Sequence, residues 1–124
     1  MSKTPTPHAV VQAYMDALNA GDLEAIVALY ADDATVEDPV GSAPVAGREA
    51  IRAFYARSLA TPLQVRLEGP VRVAGRECAF AFAVTLTYDG RHMTIRPIDT
   101  FRFDEQGHIV QMRAYFGPAN FESH

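Results

Sequence analysis

Two aspartates stand where strands should keep apolar side chains. In Ile95-Arg96-Pro97-Ile98-Asp99-Thr100-Phe101-Arg102-Phe103, period-two alternation puts Asp99 on one face with Ile95, Phe101 and Phe103. A carboxyl group buried among aromatics ionises only against a large desolvation cost, so its pKa rises and it keeps a proton that it can donate in a hydrogen bond. Such a neutral acid suits the task of holding an oxygen that becomes negative during a reaction. In Ala34-Thr35-Val36-Glu37-Asp38-Pro39-Val40, alternation groups Asp38 with Ala34, Val36 and Val40 and sends Thr35 and Glu37 the other way. Pro39 keeps Asp38 extended and removes an amide donor, which predicts a short strand at a sheet edge or pocket mouth. A partly solvated carboxylate there stays ionised, and a mildly raised pKa makes it a better base. Taken alone, Asp38 reads first as a solvated turn acid before a proline.

Tyr14 lies in the middle of a predicted helical stripe and, by itself, is a core tyrosine whose hydroxyl finds a carbonyl. Its company changes that reading. Tyr30 and Tyr55 occupy equivalent stripe positions on the second and third predicted helices, and three phenols in series polarise the terminal hydroxyl into a stronger donor. Other candidates carry less. His8, His92, His108 and His124 have no i, i+4 spacing and no cysteine partner, so no metal site is predicted. Asp32, Asp33, Glu37 and Asp38 lack the central glycine and alternate oxygen ligands of a calcium loop, and Asp32 and Asp33 are expected to be loop acids that end a helix. Gly41 and Gly47 flank a loop without the lysine of a phosphate loop. The single cysteine, Cys78, alternates with Phe80 and Phe82 as a packing residue, and Arg102 and Arg113 are expected on solvated or interfacial faces.

Three helices come first. Thr6-Pro7 supplies an N-cap and a first-turn proline for a helix carrying Val11, Tyr14 and Leu18, which Gly21 closes. Asp22 caps a second helix with Leu23, Ile26, Val27 and Tyr30 on its stripe, and a third runs over about residues 48–59 with Ile51, Phe54 and Tyr55 inward. The period then changes to two: Leu63, Val65 and Leu67 alternate, then Val71 and Val73, then Cys78 through Tyr88. Asp89-Gly90 is a type I′ hairpin signal, so Tyr88 should face Arg91 in a register whose partners sum to 179. That register brings Phe80 opposite Asp99 unless Pro97 adds a bulge. A turn at residues 104–107 leads to a last strand with Val110, Met112, Ala114 and Phe116 on one face. Helices followed by an antiparallel meander predict an α+β fold, helices laid on one side of a curved sheet.

The 124 residues, 48% hydrophobic and 21% charged, predict one domain over residues 1–124. A net charge of −4 with no basic run argues against a nucleic-acid partner or an anionic membrane surface. The polar, Pro-rich first ten residues and the lack of a long apolar stretch predict a soluble, cytoplasmic protein with no membrane partner.

With Tyr14, Ala31-Asp32-Asp33-Ala34-Thr35-Val36-Glu37-Asp38-Pro39-Val40-Gly41, Ile51-Arg52-Ala53-Phe54-Tyr55 and Pro97-Ile98-Asp99-Thr100-Phe101-Arg102-Phe103 in order, the chain closely resembles the bacterial ketosteroid isomerases of the NTF2-like superfamily. The resemblance spans essentially the whole length. It implies a conical fold of three N-terminal helices on a strongly curved, mainly antiparallel sheet, a deep apolar pocket, a homodimer packed through the sheet, and no cofactor. It implies Asp38 as general base, Tyr14 as principal oxyanion donor and Asp99 as protonated second donor, a device of which these isomerases are themselves the type case. Tyr55 matches the tyrosine that supports the oxyanion tyrosine, and Tyr30 falls where family members carry Tyr or Phe. The implied substrate is an apolar 3-oxo-Δ5-steroid whose rings lie against Phe54, Val65, Phe82, Leu86, Met112 and Phe116. Because a shared fold does not fix a reaction, a dehydratase, epoxide hydrolase or polyketide cyclase is the rival enzyme, and a carrier of apolar ligands the rival outside catalysis. Those enzymes bring a His-Asp or Arg-Asp pair into the pocket, and no histidine falls on an inward stripe here.

Overall fold

The computed structural model describes residues 4–124; residues 1–3, part of the polar N-terminal stretch, lie outside the described residues. Helix α1, Pro7–Ala20, begins where Thr6 accepts a hydrogen bond from the Ala9 N–H at 3.1 Å and ends at Gly21, whose φ of 65° suits a residue without a Cβ. It buries Val11, Tyr14 and Leu18 as the stripe predicts. Asp22 caps α2, Leu23–Val27, through the Ala25 N–H, and α3 spans Arg48–Ser58 with Ile51 and Tyr55 buried.

Helix α2 stops earlier than the sequence predicts. Tyr30 is the first residue of strand β1, Tyr30–Glu37, and not part of a helix. Two long-range bonds capture the chain there: the Ile109 N–H donates to the Leu29 carbonyl at 2.9 Å, and the Arg48 guanidinium donates to the Tyr30 carbonyl. Tertiary ties of this kind override helix propensity. Asp32 and Asp33 are accordingly exposed strand residues, in a stretch where the β1 register shifts, and Asp32 pairs with Arg48 at 2.9 Å.

Eight further strands follow: β2 Val45–Ala46, β3 Leu63–Leu67, β4 Arg72–Ala74, β5 Glu77–Tyr88, β6 Arg91–Ile95, β7 Ile98–Phe103, β8 Ile109–Tyr115 and β9 Phe121–Ser123. Twelve-residue β5 organises the sheet, since its first half pairs with β4 and β7 and its second half with β3 and β6. The path runs β2-β1-β8-β7-β5-β6-β9, and all pairs are antiparallel except β1 with β8. This is the expected α+β arrangement, three helices packed on a curved, mostly antiparallel sheet. The hairpin register holds from Tyr88↔Arg91 to Val84↔Ile95 and resumes past Pro97 as Phe80↔Asp99, every pair summing to 179. Pro97 interrupts the ladder without slipping it, because its carbonyl still accepts from the Phe82 N–H at 3.3 Å.

Two expectations need correction. Of the two placements expected for β1, a sheet edge or a pocket mouth, the edge is ruled out, since the strand lies between β2 and β8, and Asp38 sits just beyond its end. On β8, the pairs Arg102↔Gln111 and Phe103↔Ile109 leave Val110 as an extra, bulged residue. The bulge inverts the phase, so Ile109 points inward with Met112 and Ala114, while Val110 is only half-buried. No helix among the described residues is long and apolar enough to cross a membrane.

Candidate functional site

A cavity of about 240 Å³ opens between helices α1 and α3 and the concave face of the sheet, and Tyr14, Asp38 and Asp99 all line it. Each arrives on a different element. Tyr14 comes from the buried stripe of α1, Asp38 from the end of β1, and Asp99 from the inward row of β7 that continues into Phe101 and Phe103. Of the predicted apolar wall, Phe54, Val65, Phe82, Leu86 and Phe116 line the cavity. Met112 does not. It is wholly buried in the core behind the cavity, and Ala114, the next inward residue of β8, takes its place. Leu18, Ser58, Leu63, Val84, Ile95 and Pro97 line the cavity as well and were not predicted to. Leu18 carried a signal, its place on the Tyr14 stripe; Ser58 follows Phe54 by one helical turn and donates to the Phe54 carbonyl at 3.2 Å.

Asp99 is 2% exposed, and its Oδ1 has no hydrogen-bond partner among the described residues. Burial, and secondarily the negative charge of Asp38, hold its carboxyl well above the usual aspartate range. Burial therefore favours the protonated form of this side chain. Asp38 is only half-buried, and burial raises it to about 6. At neutral pH it is mostly ionised. One cavity thus holds two carboxyls in unlike environments, the half-buried Asp38 raised to about 6 and the fully buried Asp99 pushed well above the usual aspartate range.

The tyrosines form the expected series. The Tyr14 and Tyr55 hydroxyls are 2.9 Å apart and those of Tyr55 and Tyr30 are 2.6 Å apart, all three side chains buried. Tyr30 reaches Tyr55 from the start of β1 and stands behind the cavity, outside its lining. Burial is the main cause that raises all three phenol pKa values, so each keeps its proton. The rings are fixed by edge-on packing, with Tyr14 and Phe101 centroids 5.2 Å apart and Phe54 and Tyr55 5.1 Å apart.

Neither histidine nor arginine belongs to the cavity lining. Arg113 instead lies on the outer side of β8, bonded to Glu37 at 3.1 Å, while Arg102 is exposed. Cys78 is buried packing, with its thiol pushed up to about 11 chiefly by desolvation.

The sequence profile of the SnoaL-like domain matches residues 11–112. A steroid Delta-isomerase of Nocardioides simplex is 42% identical over 112 residues, 90% of each chain. The epoxide hydrolase LasB of Streptomyces lasalocidi is 31% identical over 113 residues, which are 87% of this chain and 40% of that protein. Among solved structures, SalBIII, an epoxide hydrolase/cyclase-like enzyme with a role in pyran ring formation in salinomycin, superposes with a TM-score of 0.87 at 27% identity over 93% of both chains. RV0760c from Mycobacterium tuberculosis superposes with a TM-score of 0.86 at 26% identity over 99% of this chain and 100% of that one.

Proposed function

We infer that this chain, which belongs to the SnoaL-like family of NTF2-like proteins, is an isomerase that moves the C5–C6 double bond of a 3-oxo-Δ5-steroid to C4–C5. The observation that carries the reading is the pairing of a half-buried Asp38 with a fully buried Asp99, whose Oδ1 has no partner among the described residues, in one apolar cavity beside Tyr14.

The substrate enters with its fused rings against Phe54, Val65, Phe82 and Phe116 and its C3 carbonyl toward Tyr14 and Asp99. Asp38 takes a proton from C4, the electron pair moves onto the C3 oxygen, and a dienolate forms. The same carboxyl returns that proton to C6, leaving a conjugated ketone and an ionised Asp38 ready for the next cycle. Tyr14 and Asp99 donate to the oxygen as it becomes negative, each contributing roughly 3 kcal/mol because the donors are already aimed and little water must reorganise. For Tyr14 to donate into the cavity, Tyr55 donates to Tyr14 and Tyr30 to Tyr55, and the series strengthens the terminal donor. No step calls on a cofactor.

The epoxide hydrolase-like relatives keep the rival enzyme class in view, but the His-Asp or Arg-Asp pair expected of it has no counterpart in the lining. We further propose that the chain acts as one cytoplasmic domain and pairs as a homodimer through the outer sheet face, where Ile98 and Tyr115 face each other across β7 and β8 and stay exposed. Incubation with androst-5-ene-3,17-dione tests the activity: growth of the conjugated-enone absorbance, catalytic in enzyme, is the expected result. Stoichiometric binding with no enone would leave only a carrier.

A further inference from the structure

Among the described residues no group hydrogen-bonds the Asp38 carboxyl, and burial is what raises its pKa. A base without side-chain partners is aimed by its backbone, and that backbone is pinned from the far side of the sheet. Glu37 ends β1 facing outward, beside Arg113 in the parallel β1–β8 register. One of its carboxylate oxygens accepts from Arg113 Nε at 3.1 Å, and the other accepts from the Gly41 N–H at 2.8 Å. Arg113 is in turn held by the Tyr115 hydroxyl at 3.0 Å and lies over the Tyr115 ring at 5.5 Å.

The turn so gripped is a single unit. The Val40 N–H donates to the Ala114 carbonyl at 2.8 Å, and the Ser42 N–H and hydroxyl donate to the Pro39 carbonyl at 3.0 and 2.6 Å. Gly41 sits at φ +102°, where a Cβ would be strained, which lets its N–H turn back onto Glu37. Glu37 therefore joins the residue before the base to the residue three after it, and ties both to β8, whose Ala114 lines the same cavity.

We propose that Glu37 is a positioning residue for the isomerase: by bridging Arg113 and Gly41 it fixes the turn that carries Asp38, so that one carboxyl keeps both C4 and C6 within reach. The proposal rests on the isomerase reading above. A single base that serves two carbons must neither drift nor open to water between the two transfers, so the clamp governs both the rate and the fate of the proton.

The test uses the full chain and androst-5-ene-3,17-dione carrying deuterium at C4. In Glu37→Ala, kcat is expected to fall roughly 10- to 100-fold, the scale of an ångström-sized misplacement. KM should stay within about twofold, and the fraction of label delivered to C6 should fall, because a displaced base gives solvent protons time to compete. Glu37→Gln, which keeps an oxygen for Gly41, should recover most of both quantities, and Arg113→Met should lie between. Loss of folded protein lowers the apparent rate but leaves the label ratio unchanged. If Glu37→Ala does not fold, the Gln and Met variants decide. Wild-type enzyme that turns over, with variants matching it in kcat and label transfer, would overturn the role of Glu37 alone. Wild-type protein with no isomerase activity would instead sink the isomerase reading, and this role with it.

Discussion

Asp99 lies directly opposite Phe80 across the antiparallel β5–β7 pair, so its carboxyl is pressed into an aromatic wall with Oδ1 buried and, among the described residues, unpartnered. Folding a polar group into that position costs free energy unless the group is neutral, and even then it leaves a donor unused. The fold keeps the cost, which is the signature of a group held ready for something that arrives later.

Replacing Asp99 with Leu separates the two sides of that balance. Turnover is expected to fall roughly 10²- to 10³-fold through loss of one oxyanion donor. Thermal stability should hold or rise, because the variant no longer buries an unpartnered polar atom. Steady-state kinetics and a melting curve on the same preparation check both; parallel losses would indicate a structural Asp99.

The same residue sets a pH dependence of stability. A carboxyl whose pKa is raised on folding binds its proton more tightly in the native state, so its contribution is fully present below the unfolded value of about 4 and is lost as pH rises toward the folded value. The melting temperature of Asp99→Leu relative to wild type should therefore increase from pH 4 to pH 8. A difference that stays flat over that range contradicts a raised Asp99 pKa.

Asp38 titrates with the opposite functional consequence, since the reaction needs it ionised. With its pKa at about 6, kcat/KM should climb with pH, pass half-maximum near that value and level off above it. Asp38→Asn, nearly isosteric but unable to take a proton, should lose roughly 10²- to 10⁴-fold in turnover with little change in steroid affinity. Stopped-flow or steady-state rates with an equilibrium binding measurement check the pair of outcomes, and a variant with wild-type turnover removes Asp38 as the base.

The tyrosine series should show graded effects. Tyr14→Phe removes an oxyanion donor and is expected to cost roughly 10²- to 10³-fold in kcat. Tyr55→Phe removes only the support, worth about one hydrogen bond, or roughly 3- to 10-fold, and Tyr30→Phe should cost less again because it is two hydroxyls from the cavity. Rates for the three single variants test the order; an equal loss at Tyr30 and Tyr14 contradicts a series that ends at Tyr14.

Much of this site was legible in the order of residues. The Asp89-Gly90 turn set a register that survives Pro97 unchanged, so the Asp99–Phe80 pairing followed from counting alone. Alternation put Asp38 and Asp99 inward, and the helical stripes of α1 and α3 supplied Tyr14 and Tyr55. What escaped depended on contacts distant in sequence. Tyr30 continues the Ile26 stripe perfectly well, and only the bonds from Ile109 and Arg48 make it a strand residue. Met112 left the cavity because alternation alone does not say how deep an inward residue lies, and Val110 lost its inward place to a bulge that no glycine or proline announces. The short strands β2 and β9 rest on pairing with β1 and β6 rather than on any pattern of their own.

The proposed proton transfer requires the two aspartates of one cavity to hold opposite protonation states at neutral pH. Carbon-13 labelling of the aspartate side chains, with Asp38→Asn and Asp99→Asn variants to assign the signals, reads both carboxyls directly by NMR. The expected result is an Asp38 that titrates near pH 6 and an Asp99 signal still at the protonated position at pH 7. An Asp99 signal at the carboxylate position at pH 7 would contradict it.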